Sequence, residues 1–236
     1  MRVSLQPAYI IHRRPYRNTS ALLDVLTEEY GLIGLVAKGV RKQNSEKNAL
    51  LEPFSRLLLS FSGRGELMNL TTVEPAGPRV VLAGGLLYSG IYVNELIQRL
   101  LHRHDPHEKI FTGYSGAIQA LAQTDCQPEP ILRKFELRLL AQLGYGLQLQ
   151  HEAMLQDEIS PDRLYRYDLG SGPVSVNGRG GIAPVVSGRC LLAMAQEEFT
   201  NTELLGEMKL LMRQVISHYM GGRDLKSREL FKKIGV

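Results

Sequence analysis

Two groups of cationic residues flank the ends of predicted strands near the start of the chain. The run LVAKGVRK at residues 35–42 places three cations around Gly39, and a second group surrounds the end of the first predicted strand. Lys and Arg side chains bind phosphate oxygens, and a glycine lets the backbone approach such a ligand closely. The residues of this predicted phosphate-binding edge are Arg13, Arg14, Arg17, Lys38, Gly39, Arg41, Lys42 and Lys47.

The net charge of +4 is carried by the first third of the chain. Residues 1–79 contain 11 Lys and Arg against 7 Asp and Glu, which leaves 17 of the 28 cations and 17 of the 24 anions for the rest. A positive excess in one segment favours a polyanion such as nucleic acid as the partner. Surplus cations that only keep the protein in solution are the alternative interpretation.

Five short strands are predicted before residue 74. Apolar side chains alternate with a period of two, for example at Ala21, Leu23 and Val25, and turn residues separate the strands. Five strands in so short a segment fit a small closed barrel of the oligonucleotide-binding (OB) type, although an SH3-like barrel gives nearly the same pattern. The predicted strands span residues 8–13, 20–28, 32–38, 56–62 and 66–73.

A joint marked by proline and glycine at residues 74–78 separates the strands from a helical region. After it the apolar period changes from two to about 3.6, which is typical of amphipathic helices. The sequence therefore predicts an α+β protein of two domains, with a five-stranded OB-fold barrel at residues 1–78 and a mostly α-helical domain at residues 79–236. Within the second domain, residues 151–189 are predicted to be a loop-rich insertion with short strands at 164–168 and 174–176.

A predicted helix that begins at Pro128 and stops at Gly144 carries Arg133, Lys134 and Arg138 on the face opposite its apolar stripe. Lys134 and Arg138 are four residues apart, so their like charges repel by roughly 0.2–0.5 kcal/mol. An anionic partner would relieve this repulsion, and an acidic peptide with an apolar end would suit the face. An ordinary solvated face explains the same residues, and both interpretations stay open.

Three aromatic residues of the predicted barrel, Tyr9, Tyr16 and Phe61, are candidates for stacking on unpaired bases. Such stacking is worth about 1–3 kcal/mol per base. Phe61 alternates with Leu57 and Leu59, and this pattern favours a place in the barrel core over stacking for this residue.

The sequence predicts neither a metal site nor a catalytic centre. Cys126 and Cys190 are too few for a four-cysteine zinc site and give no disulfide framework. Asp157, Glu158 and Asp162 are the residue types of a magnesium-dependent nuclease, but no matching carboxylate stands at the end of a predicted strand. We therefore expect a protein that is not an enzyme and needs no cofactor, with the nuclease as an alternative.

No segment of the chain has the features of a membrane-targeting sequence. The N-terminal residues do not combine a basic end with an apolar stretch and a cleavage site, and no apolar run reaches the roughly 20 residues that span a bilayer. We expect a cytoplasmic protein without a membrane partner.

Several segments together resemble the bacterial RecO recombination and repair proteins, closest to the gamma-proteobacterial type. Their order and spacing, rather than one motif alone, give the resemblance, which covers nearly the full chain. The segments are TEE at 27–29, LVAKG at 35–39, LYSG at 87–90, YVNEL at 92–96, PEP at 128–130, RKFE at 133–136, LGYG at 143–146 and LKSRELF at 225–231.

The resemblance implies an N-terminal OB barrel, a helical domain and a non-enzymatic recombination mediator associated with the nucleoid. Members of this family bind single- and double-stranded DNA and anneal complementary strands. They contact the acidic C-terminal tail of single-strand-binding protein, and together with RecR they help to load RecA. From the residues alone, an OB-fold RNA-binding or translation-linked protein remains the alternative, because cations that bind phosphate serve both nucleic acids.

The resemblance also implies roles for residues of this chain. The DNA surface is expected at the phosphate-binding edge, with the Lys38 loop also near the RecR contact, and the tail-binding surface is expected at Arg133, Lys134 and Arg138. Many relatives have a four-cysteine zinc knuckle in the insertion, whereas this chain has Cys190 alone, so no zinc is predicted. Whether Arg228, Lys232 and Lys233 extend the DNA path stays open.

Overall fold

The computed structural model describes residues 1–41, 46–154, 156–176 and 184–232. Its strands are β1 (Arg2–Tyr16), β2 (Ser20–Thr27), β3 (Gly31–Ala37), β4 (Leu57–Ser62), β5 (Leu67–Pro75), β6 (Leu164–Asp168), β7 (Gly172–Val176) and β8 (Val185–Ser187). Its helices are α1 (Glu46–Leu50), α2 (Gly84–Leu100), α3 (Glu108–Leu121), α4 (Pro128–Gln142), α5 (Gly188–Ala195), α6 (Thr202–Tyr219) and α7 (Ser227–Lys232).

The first five strands close into a barrel in the order β1-β2-β3-β5-β4. The strand pairs are antiparallel except β3 and β5, which pair in parallel. This arrangement is expected for an OB fold, and the predicted α+β class, a barrel followed by helices, is confirmed. β1 begins earlier than predicted, at Arg2, because its first residues pair with β4.

Alternating side chains of all five strands fill the barrel. Ala21, Leu23 and Val25 of β2 all lie in this core, as their period of two predicts. β2 and β3 are nearly all buried, including residues that point away from the barrel interior. The cause is that helices cover part of the barrel, so these strands have apolar residues on both faces.

Buried hydrogen bonds attach α2 and α3 to the barrel. Asn94 of α2 donates from Nδ2 to the Ile11 carbonyl oxygen at 2.8 Å and accepts at Oδ1 from the Tyr114 hydroxyl at 2.7 Å. Asp24 of β2 accepts a bond from Gln98 Nε2 at 2.8 Å. Helical periodicity alone places Asn94 on the polar side of α2, but its amide is buried because both of its polar atoms find partners there.

The chain divides into two compact units. The first contains Met1–Cys126 and the segment from Leu225 onward, so it holds the barrel together with α1, α2, α3 and α7. The second is Gln127–Asp224, with the remaining helices and strands. The domain boundary at residue 78 stays a prediction, because the change from strand to helix and the division into units fall at different places.

In the second unit, short strands form a sheet in the order β7-β6-β8. The predicted strand at residues 164–168 is confirmed as β6, whereas β8 was not predicted because three residues are too few to show alternation. Asn201 caps the N-terminus of helix α6, because its Oδ1 accepts bonds from the backbone N–H groups of Glu203 and Leu204. Both α5 and α6 contact β8.

Candidate nucleic-acid interface

The register of the sheet brings the ends of β1 and β3 to the same end of the barrel. Pro15 of β1 pairs with Ala21 of β2, and Ala21 pairs with Ala37 of β3. Neighbouring strands lie about 4.8 Å apart, so the row formed by these three paired residues spans roughly 10 Å. Arg14 directly precedes this row on β1, and Lys38 directly follows it after β3. The two predicted cationic groups therefore meet.

Two hydrogen bonds join the β1–β2 turn to the segment that follows β3. The backbone N–H of Arg41 donates to the Thr19 carbonyl oxygen at 2.9 Å, and Arg41 Nη1 donates to the Arg17 carbonyl oxygen at 3.2 Å. Gly39, between β3 and Arg41, has a φ of +72°, which is a conformation that favours glycine. The glycine thus turns the chain so that Arg41 can reach the neighbouring turn.

Four cations at this end of the barrel are exposed: Arg14, Arg17, Lys38 and Arg41. Among the described residues, none of the four has a carboxylate oxygen within 4.0 Å. We call these four residues the basic rim. Their charges are available to a ligand, and neighbouring like charges make an anionic ligand favourable there.

The other residues of the predicted edge have different surroundings. Arg13 Nη1 donates to Glu52 Oε1 at 2.8 Å and to the Asn48 carbonyl oxygen at 3.2 Å, so its charge is already paired. Lys47 is exposed, and its Nζ donates to the Thr71 carbonyl oxygen at 3.2 Å. The roles of Arg13 and Lys47 in phosphate binding stay predictions.

Two further residues bear on the phosphate-binding edge: Lys42, which the sequence predicts, and Glu52, which it does not. Lys42 lies outside the described residues. Glu52 was not singled out from the sequence, yet it neutralises Arg13 across 39 positions of the chain. No local pattern signals this pair, because the two residues meet only when the segment after α1 returns to β1.

Two of the three aromatic candidates cannot stack on a base. Tyr9 is 2% exposed, and its hydroxyl lies 2.7 Å from the Ser115 hydroxyl. Phe61 is 0% exposed in the barrel core. The stacking prediction for Tyr9 is therefore wrong, because its ring is buried, whereas the prediction that Phe61 lies in the barrel core is confirmed. Tyr16 is half-buried, and the Arg17 guanidinium lies 5.1 Å from its ring centroid.

The three cations of α4 do not form the uniform open face that the sequence predicts. Arg133 is 7% exposed and donates from Nη2 to Glu136 Oε1 at 2.6 Å, so its prediction as a surface residue is wrong. Arg133 is buried because Glu136, one helical turn away, pairs with it. Lys134 and Arg138 are about half exposed.

Glu197 lies against the two exposed cations of α4. Arg138 donates two hydrogen bonds to this carboxylate at 2.8 and 2.6 Å, and Lys134 Nζ lies 3.7 Å from it. These bonds lower the pKa of Glu197, Arg138 being the main cause. The face therefore keeps a reduced positive charge, and its role in binding an acidic tail stays a prediction.

The described residues include no group of three or more His, Cys, Asp or Glu side chains arranged to hold a metal ion. Cys190 is buried, and burial together with the nearby Glu207 raises its pKa to about 12. Asp162, a nuclease candidate, pairs with Arg189 at 2.8 Å. No helix within the described ranges has the length and apolar character needed to cross a membrane.

Comparison with known proteins gives matches over nearly the whole chain. The family model described as Recombination protein O N terminal matches residues 1–79, and the one described as Recombination protein O C terminal matches residues 84–229. The chain is 46% identical to the DNA repair protein RecO of Nitrosococcus oceani, over 99% of this chain and 95% of that protein. It is 47% identical to the protein of the same name from Methylococcus capsulatus, over 98% and 94%. The chain therefore belongs to the RecO family of DNA repair proteins.

Proposed function

We propose that this protein is a non-catalytic recombination mediator that binds single- and double-stranded DNA through the basic rim and anneals complementary strands. With RecR, it would help to load RecA onto gaps coated with single-strand-binding protein. The observation that carries the proposal is the basic rim itself, in which four exposed cations from three segments lie at one end of an OB barrel.

The rim suits binding to phosphates more than the reading of bases. Each Lys or Arg that contacts a phosphate releases counterions, which gives affinity with a steep dependence on salt. Around the rim, Tyr16 is the remaining aromatic candidate for stacking, and it is only half-buried. Both strand types present the same phosphates, so we propose binding to both with little sequence preference.

Annealing follows from the same charges without a catalytic group. Two complementary strands repel each other through their phosphates, and cations that neutralise part of this charge lower the repulsion when the strands meet. The protein would thus act by bringing polyanions together and then leaving the pairing to the bases.

The partner surface of the proposal is α4 and the Lys38 loop. Lys134 and Arg138 share Glu197 as an intramolecular carboxylate, and the acidic tail of single-strand-binding protein would compete with Glu197 for these cations. The loop that contains Lys38 would lie near RecR. The effect on RecA would be indirect, because RecA would bind the single-stranded DNA that the mediator makes accessible.

The experiment that tests the proposal is annealing of complementary oligonucleotides coated with single-strand-binding protein. We expect the wild-type protein to accelerate annealing, and the double variant Arg14→Ala with Lys38→Ala to lose most of the acceleration. Arg64→Ala is the matched control, since Arg64 is an exposed cation on the β4–β5 connection. Annealing by the double variant at the wild-type rate would contradict the proposal. Competition with a matched RNA separates DNA binding from the RNA-binding alternative.

A further inference from the structure

A second feature of the first unit is a cleft of about 1170 Å³ along the outside of the barrel. It is lined by the end of β1, the segment after α1, residues 79–82, one face of α2, and α7. All of these belong to the first compact unit. The cleft lies beside the basic rim and shares Arg41 with it.

The lining of the cleft includes an aliphatic floor. Leu87 and Ile91 of α2 are half-buried, and Leu82 is buried beside them. Val81 also lines the cleft and is 69% exposed. Apolar surface that stays exposed in a cleft is a common mark of a binding site.

Cations without acidic partners surround this floor. Arg41, Arg79 and Lys226 all line the cleft and are exposed. Within the part of the chain that the structure describes, none of the three has a carboxylate oxygen within 4.0 Å. The cleft therefore offers positive charge around an apolar surface.

The carboxylates of the cleft are largely engaged already. Glu52 accepts from Arg13 at 2.8 Å. Glu95 accepts the backbone N–H groups of Lys226 at 3.0 Å and of Ser227 at 2.8 Å, so it holds the start of α7 against α2. These contacts fix one wall of the cleft. Glu229 of α7 also lines the cleft and is exposed, so three cations without an ion-pair partner stand against one such carboxylate among the described residues, and the balance is positive.

We propose that this cleft binds a segment of a protein partner in which aliphatic side chains adjoin carboxylates. The aliphatic side chains would cover Leu87 and Ile91, and the carboxylates would pair with Arg79 and Lys226. This combination of an apolar anchor and flanking charge is a frequent mode of peptide recognition. The proposal goes beyond the DNA-binding function, since it assigns a separate surface to a separate kind of ligand.

A nucleic-acid strand suits the cleft less well than a peptide. Bases without sequence-specific contacts are held mainly by stacking on aromatic faces. Among the described residues, Phe54 is the only Phe, Tyr or Trp side chain that lines the cleft, and at 6% exposure it presents little ring surface. Aliphatic side chains pack against aliphatic side chains, which favours the peptide.

The test is binding of the fluorescent peptide Asp-Asp-Asp-Leu-Leu, measured by anisotropy. Every protein in the series carries Lys134→Glu and Arg138→Glu, so that the cations of α4 cannot bind the probe. We expect saturable binding to this background protein. Affinity should fall by about tenfold or more with Arg79→Glu, which reverses a charge, and with Val81→Glu, which places a carboxylate beside the floor. Because both positions are exposed, both variants should fold.

Controls separate this site from general attraction between charges. Arg64→Glu, an exposed cation outside the cleft, should leave peptide affinity unchanged, and Asp-Asp-Asp-Ser-Ser should bind much more weakly than the leucine peptide. Oligonucleotide affinity, measured on the same proteins, reports separately on the basic rim. The proposal is overturned if the peptide does not bind, or if Arg64→Glu lowers peptide affinity as much as Arg79→Glu does. It is also overturned if Arg79→Glu and Val81→Glu lower oligonucleotide affinity and leave peptide affinity unchanged.

Discussion

Arg41 donates a hydrogen bond from its guanidinium to the carbonyl oxygen of Arg17 at 3.2 Å. Because the acceptor is a neutral backbone group, the bond orients the Arg41 side chain without cancelling its charge. Arg13 is held differently, since Glu52 supplies an opposite charge at 2.8 Å. Two arginines at the same end of the barrel are thus both ordered, but only Arg41 keeps its full charge for a ligand.

The first prediction concerns the salt dependence of DNA binding. Replacing Lys38 and Arg41 by Ala should weaken binding of a single-stranded oligonucleotide and reduce the slope of log affinity against log salt by about 1.4, because each phosphate contact on a single strand contributes about 0.7. Fluorescence anisotropy over a series of salt concentrations measures this slope. Arg64→Ala is the control, and an unchanged slope in the double variant would count against the basic rim.

The second prediction follows from the Arg13–Glu52 pair. Glu52→Gln removes the carboxylate charge that neutralises Arg13 while keeping a side chain of nearly the same shape. DNA affinity at low salt should rise, and the salt slope should become steeper by up to about 0.7, because Arg13 then offers its charge to one more phosphate. The same anisotropy series measures it. If Glu52→Gln binds DNA as the wild type does, Arg13 does not reach the strand.

The sequence predicts the barrel well because the pattern that indicates each strand is local. Ala21, Leu23 and Val25 alternate within a few residues, and their burial depends only on which face of one strand turns inward. The contact between Arg41 and Arg17 is different, since it depends on strand register and on the turn at Gly39. Cationic residues near two strand ends indicate the kind of site, but the three-dimensional register decides which charges meet.

In helix α4, helical periodicity predicts the wrong exposure for one residue. The apolar stripe places Arg133 on the polar side, yet Arg133 and Glu136 are both buried as a pair. A cation and an acid three residues apart are the only sequence signal, and this spacing is also common on exposed helix surfaces. Likewise α7 joins the first unit through Glu95, which lies 131 positions away from Lys226, and no local pattern reveals such a contact.

The third prediction concerns stability. Arg133→Ala removes the guanidinium that hydrogen-bonds the fully buried Glu136, so the free energy of unfolding should fall by about 3–5 kcal/mol. Urea denaturation followed by circular dichroism measures this change. Lys134→Ala, its exposed neighbour, should change the free energy of unfolding by less than about 1 kcal/mol. Similar small losses in both variants would mean that the buried pair does not stabilise the fold.

The fourth prediction separates the protein partner from DNA. Changing both Lys134 and Arg138 to Glu should abolish binding of a peptide that carries the acidic tail of single-strand-binding protein, because the tail would meet carboxylates in place of cations. Glu197→Gln should have the opposite effect, since it frees both cations from their intramolecular partner. Affinity for naked DNA should stay unchanged in all of these variants, because the basic rim is intact.

Isothermal titration calorimetry measures the affinity for the tail peptide, and oligonucleotide anisotropy measures the affinity for DNA. A parallel loss of tail and DNA binding would show that α4 and the rim do not act as distinct sites.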